Sequence, residues 1–291
     1  MSAALAKARD YYELSKPRII VLLLITTIAA MIMAARGVPP LALVFWTLLG
    51  GALAAASAGA FNCAYDADID RIMKRTALRP IPQGRVSRLE ACVYATIVGA
   101  LAFAILYAFV NPLAAWLSLA GNVYYVVIYT MWLKRVTPLN IVIGGAAGSV
   151  PPLVGWAAVT HAIGAPALGL FAVIFLWTPP HFWSLALAVE TDYEKANIPM
   201  FPNVFGEART KREIFYYSVI LVAASLALYP LHVMGAVYFA AAAVLGGVFL
   251  LDAARTWRER EGTRSARRLF RFSLLYLALM CAVMVIDRII A

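Results

Sequence analysis

Leu41-Ala-Leu-Val-Phe-Trp-Thr-Leu-Leu-Gly-Gly-Ala-Leu-Ala-Ala-Ala-Ser-Ala-Gly-Ala-Phe61 runs without a break into Asn62-Cys-Ala-Tyr-Asp66-Ala-Asp68-Ile-Asp70-Arg71. The first part stays apolar for about 20 residues, the length a helix needs to cross a bilayer. The second part sets an amide and three carboxylates at the end of that helix, and Lys74, Arg75 and Arg79-Pro80 follow. Each four-residue step on a helix turns by about 400°, so Asn62, Asp66 and Asp70 share one face. Asp68 lies about 200° from Asp66 and points elsewhere. Carboxylates are costly at the end of a membrane helix and mark function there.

The rest of the chain agrees with a membrane setting. Of its 291 residues 63% are hydrophobic and 14% charged, and mean hydropathy is +0.81. A soluble domain of this length carries far more charge. Cys63, Cys92 and Cys281 lie in or beside apolar runs with no paired spacing, which excludes a disulfide framework or a zinc site. The Met1–Lys16 segment mixes charges and aromatics. No small-residue cleavage site follows the first apolar run, so that run is expected to be retained.

Nine runs are long enough to span: Ile19–Ala35, Leu41–Phe61, Leu89–Val110, Pro112–Leu133, Leu139–Val159, Ala165–Val189, Ile214–Tyr229, Val233–Leu251 and Leu269–Ile290. Asn111-Pro112, Gly164 with Pro166, and Pro230 separate neighbouring runs. With nine crossings, all of the 25 basic residues except Arg36 and Arg288 fall on one side. The positive-inside rule then puts the N-terminus in the cytoplasm and the C-terminus outside. The expected fold is all-α: a single nine-helix transmembrane domain over residues 1–291, in the plasma membrane, with its acidic end open to the cytoplasm. The net charge of +10 is accounted for by this topology, and no nucleic-acid partner is called for.

Asn62, Asp66 and Asp70 offer oxygen ligands suited to Mg²⁺, and the basic residues behind them suit the phosphates that Mg²⁺ carries. The expected metal ligands in this stretch are Asn62, Asp66 and Asp70, and the expected diphosphate contacts are Arg71, Lys74, Arg75 and Arg79. A second acidic cluster, Glu190-Thr-Asp192-Tyr193-Glu194-Lys195, ends the sixth run, which crosses in the same direction as the second. Both acidic ends lead into proline-containing loops, so the two clusters are expected to face each other at one mouth of a bundle.

The pattern Asn62-x3-Asp66-x3-Asp70, with Arg75 and Arg79-Pro80-Ile-Pro-x-Gly84, resembles the first aspartate-rich motif of the UbiA-type intramembrane prenyltransferases. These are nine-helix bundles that transfer an isoprenoid from its diphosphate to an acceptor. The resemblance covers nearly the whole chain and implies catalytic roles for Asn62, Asp66, Asp70, Arg75, Arg79, Asp192 and Tyr193, with Asp192 joining the metal ligands and Lys195 the diphosphate contacts. The second motif departs from the usual Asp-x3-Asp, since Ala196 stands four residues after Asp192.

Trp177-Thr-Pro-Pro-His181-Phe-Trp183 in the sixth run resembles the signature of one branch, the protoheme IX farnesyltransferases. So do Ser15-Lys16-Pro17-Arg18, the set Tyr129, Thr130, Lys134, Arg135, Thr137 and Asn140, and Asp192-Tyr193 with Ile198-Pro199-Met200. The branch implies farnesyl diphosphate and haem b as substrates, Mg²⁺ as cofactor, the bilayer as surroundings and a haem a synthase downstream. It also implies haem contacts by His181, Trp177, Trp183, Lys134, Arg135, Lys16 and Arg18. An imidazole is suited to the iron and the cations to the propionates. Tyr65, Tyr124, Tyr125 and Trp183 are candidate aromatic faces for an allylic cation. Two alternatives stay open: a quinone-precursor acceptor, separated only by the Trp177–Trp183 string, and a non-catalytic haem-binding or transport membrane protein, though a transporter would more often hold its acids at the midplane.

Overall fold

A computed structural model describes residues 3–188 and 194–290. Its elements are α1 (Ala3–Leu14), α2 (Pro17–Ala35), α3 (Leu41–Tyr65), α4 (Ala67–Ile72), α5 (Arg88–Phe109) and α6 (Pro112–Val136). They continue with α7 (Asn140–Thr160), α8 (Ala165–Ala188), α9 (Phe201–Phe205), α10 (Glu207–Ala227), α11 (Ala236–Arg258) and α12 (Arg264–Ile290). No strand occurs among the described residues.

The helix boundaries follow local chemistry. Pro17 starts α2 at a position where its missing N–H is not needed. Ser87 and Glu90 close a capping box at the start of α5. Asn111 caps α6 by accepting from Ala114 N at 2.8 Å, with Pro112 at the first helical position. Within α6 the hydrogen bonding widens to i→i+5 over Tyr124–Leu133. Such wide turns gather at functional sites and turn the side chains that follow them.

Each long helix packs on the next, from α2 through α3, α5, α6, α7, α8, α10 and α11 to α12, and α12 returns to α2. The ring is braced inside by α2 against α7 and by α8 against α12. The α2–α7 approach is close because Gly155 of α7 lies on the backbone of Thr27, where a side chain would strike the Thr27 carbonyl. The main apolar core joins α8, α10, α11 and α12 around Leu170, Tyr238, Phe249 and Tyr276. A smaller one sets Leu14 of α1 against Cys63 and Ala95.

The outer surface is apolar at helical spacing: Ile19, Leu22 and Ile25 on α2, Val93, Ile97 and Leu101 on α5, and Val244, Val248 and Leu251 on α11 are all exposed. Water does not tolerate contiguous apolar surface on this scale, whereas lipid does. Among the described residues eight helices are long and apolar enough to cross a membrane. The seventh expected run differs. Its helix, α10, begins seven residues earlier than the apolar stretch, and Glu207, Arg209, Lys211, Arg212 and Glu213 charge its first turns. Lys211 is buried there, donating to Glu259 O at 2.6 Å and Gly262 O at 3.0 Å, so these turns brace the α11–α12 loop.

Candidate active site

The acid row forms where α3 gives way to α4. Asp66 sits at the junction with φ −83° and ψ 7°, but i→i−4 bonding persists, from Asp66 N to Asn62 O at 2.9 Å and from Asp70 N to Asp66 O at 2.8 Å. The common face predicted by the spacing therefore survives the break, and Asn62, Asp66 and Asp70 are all buried. Asn62 Nδ2 donates to Asp66 Oδ2 at 2.8 Å and to Thr130 Oγ1 of α6 at 3.1 Å.

Cations from three separate elements meet this row. Lys16, in a left-handed conformation (φ 56°) between α1 and α2, donates to Asn62 Oδ1. Lys134, just beyond the wide turns of α6, pairs with Asp66 Oδ2. Arg79, from the α4–α5 loop, donates to Asp70 Oδ2 at 2.7 Å. That loop is tied down by Thr76, whose hydroxyl donates to Asp70 O at 3.1 Å. Helix α1 holds Lys16 in place through Arg85–Asp10 and Lys7–Glu90 pairs and a Ser15–Tyr94 hydrogen bond, each at 2.8 Å.

Asp68 faces away, as the spacing predicts, and is half exposed. Arg135 grips it with two hydrogen bonds at 2.9 and 2.8 Å, and these hold the Asp68 carboxyl at about 2, below its ordinary 3.8. The same guanidinium lies 4.7 Å from the centre of the Tyr65 ring. A cavity of about 500 Å³ opens on this outward side, walled by Phe61, Tyr65, Asp68, Val126 and Arg135.

Among the expected diphosphate contacts, Arg79 reaches the acid row through its hydrogen bond to Asp70. Arg71, Lys74 and Arg75 flank them on the exposed side of α4 and its loop, and Lys195 is exposed at the edge of the described residues. Asp192 and Tyr193 lie outside the described residues. Among the described residues no three His, Cys, Asp or Glu side chains converge as a metal site. What the row presents is two carboxylates and an amide. Asp66 Oδ1 is buried without a hydrogen bond, and Arg135 Nη2 stands 3.8 Å from it. An orphaned carboxylate oxygen of this kind fits Mg²⁺, which commonly takes one or two protein carboxylates and fills its remaining positions with water and phosphate oxygens.

The Trp177–Trp183 string divides. Trp177 and His181 point to α12: Trp177 Nε1 donates to Ser273 O at 2.8 Å, and His181 Nδ1 lies 2.7 Å from Ser273 Oγ. The imidazole is stacked between Trp177 at 4.1 Å and Phe270 at 4.8 Å. Trp183 turns away into the packing against Phe201 and Tyr217, at 4.6 and 5.3 Å. It is not grouped with His181. Of the cations expected beside haem propionates, Lys16 donates to the Asn62 amide oxygen, Lys134 pairs with Asp66 and Arg135 with Asp68, and Arg18 is exposed. Of the candidate aromatic faces, Tyr65 is covered by Arg135, and Tyr124 OH is bound to Ile143 O at 2.9 Å. Tyr125 lies tilted against Tyr129, with ring centres 5.4 Å apart. Ser273 and Phe270 went unnoticed in the sequence; a lone serine inside the apolar run of α12 was the available signal.

The UbiA prenyltransferase family profile matches residues 23–275. The chain is 54% identical to a protoheme IX farnesyltransferase of Synechocystis sp. over 97% of this chain and 90% of that one. It is 53% identical to the protein of the same description in Gloeobacter violaceus, over 99% and 94%. In fold it is similar to a digeranylgeranylglyceryl phosphate synthase, with a TM-score of 0.82 at 19% identity over 98% of this chain and 100% of the other. It is also similar to a UbiA homologue of Archaeoglobus fulgidus solved with GPP and Mg²⁺, at 0.67 and 18% identity over 94% and 99%. A multi-pass, all-helical membrane prenyltransferase, this chain belongs to the UbiA prenyltransferase family and, within it, to the protoheme IX farnesyltransferases.

Proposed function

We propose that this protein transfers the farnesyl group of farnesyl diphosphate to a vinyl group of haem b, with addition of water, giving haem o and diphosphate. The observation that carries the proposal is the buried Asn62–Asp66–Asp70 row, faced by cations, in a chain that belongs to this family. Asn62, Asp66, Asp70 and Asp192 would hold Mg²⁺, as the orphaned Asp66 Oδ1 supports. When bound, the ion would draw charge from the diphosphate oxygens and make diphosphate a better leaving group.

The chain's own residues do the rest. Asp70 holds Arg79 at the row, where its guanidinium can meet the charge that gathers on the departing diphosphate. Lys16, from the α1–α2 junction, and Lys134 of α6 bring two more positive groups, and Arg71, Lys74, Arg75 and Lys195 supply a basic rim. The farnesyl C1–O bond breaks with its electron pair going to diphosphate, and the vinyl π electrons of haem form the new C–C bond. The cation left beside the pyrrole ring is captured by water, which loses a proton. His181 is assigned to the haem iron as axial ligand, with Trp177 stacked on the imidazole to orient it. The apolar bundle excludes water from the allylic cation until transfer is complete. In this reading residues 1–291 act as one unit and all nine long helices cross the plasma membrane. The N-terminus and the acid row face the cytoplasm.

Turnover of purified protein with haem b, farnesyl diphosphate and Mg²⁺, followed by mass spectrometry, tests this directly. The expected product is haem carrying one farnesyl group and one added water. Chelation abolishes it, and Asp66→Asn lowers its rate about a hundredfold or more. Prenylation of an aromatic acid with haem unmodified would overturn the acceptor assignment.

A further inference from the structure

Ser273 of α12 makes three hydrogen bonds in a buried interface, and together they settle where one proton lies. Its Oγ is 2.7 Å from Phe270 O, a carbonyl in its own helix, and 2.7 Å from His181 Nδ1 of α8. A carbonyl only accepts, so the single hydroxyl proton goes to Phe270 O, and Oγ turns a lone pair to His181. His181 Nδ1 therefore carries its own proton. The opposite assignment would leave two oxygens 2.7 Å apart with no proton between them, in surroundings that penalise an unmet polar group. The third bond, from Trp177 Nε1 to Ser273 O at 2.8 Å, fixes Trp177, which covers one face of the imidazole at 4.1 Å and 19°.

No carboxylate contacts the ring among the described residues, so the buried imidazole is neutral and has one N–H. With Nδ1 protonated, Nε2 keeps an unprotonated lone pair, and no donor among the described residues reaches it. Phe270 covers the second face at 4.8 Å and 28°, so a ligand meets the ring only at its edge.

We infer that Ser273 is a positioning residue for the haem substrate, holding His181 as the Nδ1–H tautomer with Nε2 directed to the iron. This rests on the assignment of His181 as axial ligand proposed above. A metal-binding histidine that donates its other N–H to a fixed acceptor gains basicity and orientation, and losing that acceptor lowers metal affinity by about 10–100-fold. Ser273 thus acts through His181 and does not itself touch the iron.

Two measurements on the full-length protein test the inference. The chain has three histidines, His161, His181 and His232. Nitrogen-15 labelling of histidine, with His161→Gln and His232→Gln for assignment, reads the His181 tautomer without any haem present. A protonated Nδ1 and an unprotonated Nε2 are expected, and an Nε2–H tautomer overturns the inference. Titration with ferrous haem b, read by resonance Raman, then tests the link to the iron. Ser273→Ala should lower the iron–histidine stretching frequency and weaken haem binding about tenfold or more, and Ser273→Thr should restore both. A Ser273→Ala protein with wild-type frequency and affinity would remove the positioning role while leaving His181 as ligand. Retention of the iron–imidazole signature in His181→Ala would instead remove the axial-ligand assignment, and with it the link from Ser273 to the iron.

Discussion

Lys134→Met removes the ammonium that meets Asp66 while keeping a long apolar stem in its place. Asp66 is 1% exposed and Lys134 15%, so this is a buried pair, and stripping one partner from such a pair costs about 3–5 kcal/mol. Two groups soften the loss. Asn62 Nδ2 still donates to Asp66 Oδ2 at 2.8 Å, and Arg135 Nη2 stands 3.8 Å from Oδ1. Unit charges at that separation attract by about 4 kcal/mol at an effective dielectric near 20. Arg135 is, however, already committed to Asp68 by two shorter bonds. The expected cost is therefore about 3 kcal/mol, the lower end of the range.

Asp66→Asn should cost a similar amount by leaving the ammonium without an anion. The double variant buries neither charge and should lose no more than either single variant, so the cycle yields a coupling of about 3 kcal/mol or more. Cys63 and Cys281 are buried, which lets a thiol-reactive dye report thermal unfolding of the purified protein. At about 2–4 °C per kcal/mol for a chain of this size, Lys134→Met should melt about 6–12 °C lower in the absence of divalent ions. Added Mg²⁺ should raise its Tm more than that of wild type, because no ammonium competes for Asp66. If Lys134→Met melts with wild type, or the double variant shows the sum of the two single losses, Lys134 does not hold Asp66 and the cation ring loses its basis.

Asp68 should behave unlike its neighbours. Its folded pKa is depressed to about 2 by Arg135, so the stability it adds is complete above about pH 4 and is lost as pH falls through 2. Being half exposed, it contributes little through solvent screening. Its carboxyl carbon-13 shift should titrate near 2, and Asp68→Asn should keep most of its turnover; a loss matching Asp66→Asn would place it in the acid row. Gly155→Ala should destabilise by about 1–3 kcal/mol, read as a lower Tm, because its Cβ meets the Thr27 carbonyl, which is backbone and cannot swing aside. Asp287 accepts from Gly235 N at 2.5 Å and Tyr238 N at 3.0 Å, across the start of α11. Asp287→Asn should cost about 1 kcal/mol in stability and leave turnover unchanged.

Much of the architecture was legible in the sequence because lipid permits so few solutions. Without water to satisfy the backbone, a spanning segment must bond internally, and a run of about 20 apolar residues states that directly. The shared face of Asn62, Asp66 and Asp70, and the opposite facing of Asp68, follow from helical spacing alone, and both persist through the break at Asp66. Charge hid the start of α10, since an apolar pattern marks where a helix meets lipid and not where the helix begins. The widening of α6 over Tyr124–Leu133 left no mark either, because the same residues serve an α turn or a wider one.

The partners of the acids were decided only in three dimensions. Lys16 reaches Asn62 across 46 positions, Lys134 reaches Asp66 across 68, and Ser273 reaches His181 across 92. No local period connects residues so far apart. By itself the sequence determined the helices, the placing of the acids at one end of a membrane segment, and the stock of cations from which their partners would come. Closing the helix ring decided which cation meets which carboxylate and which nitrogen of His181 keeps its proton, because Coulomb attraction and hydrogen bonding act over a few ångströms and are set by which helices touch.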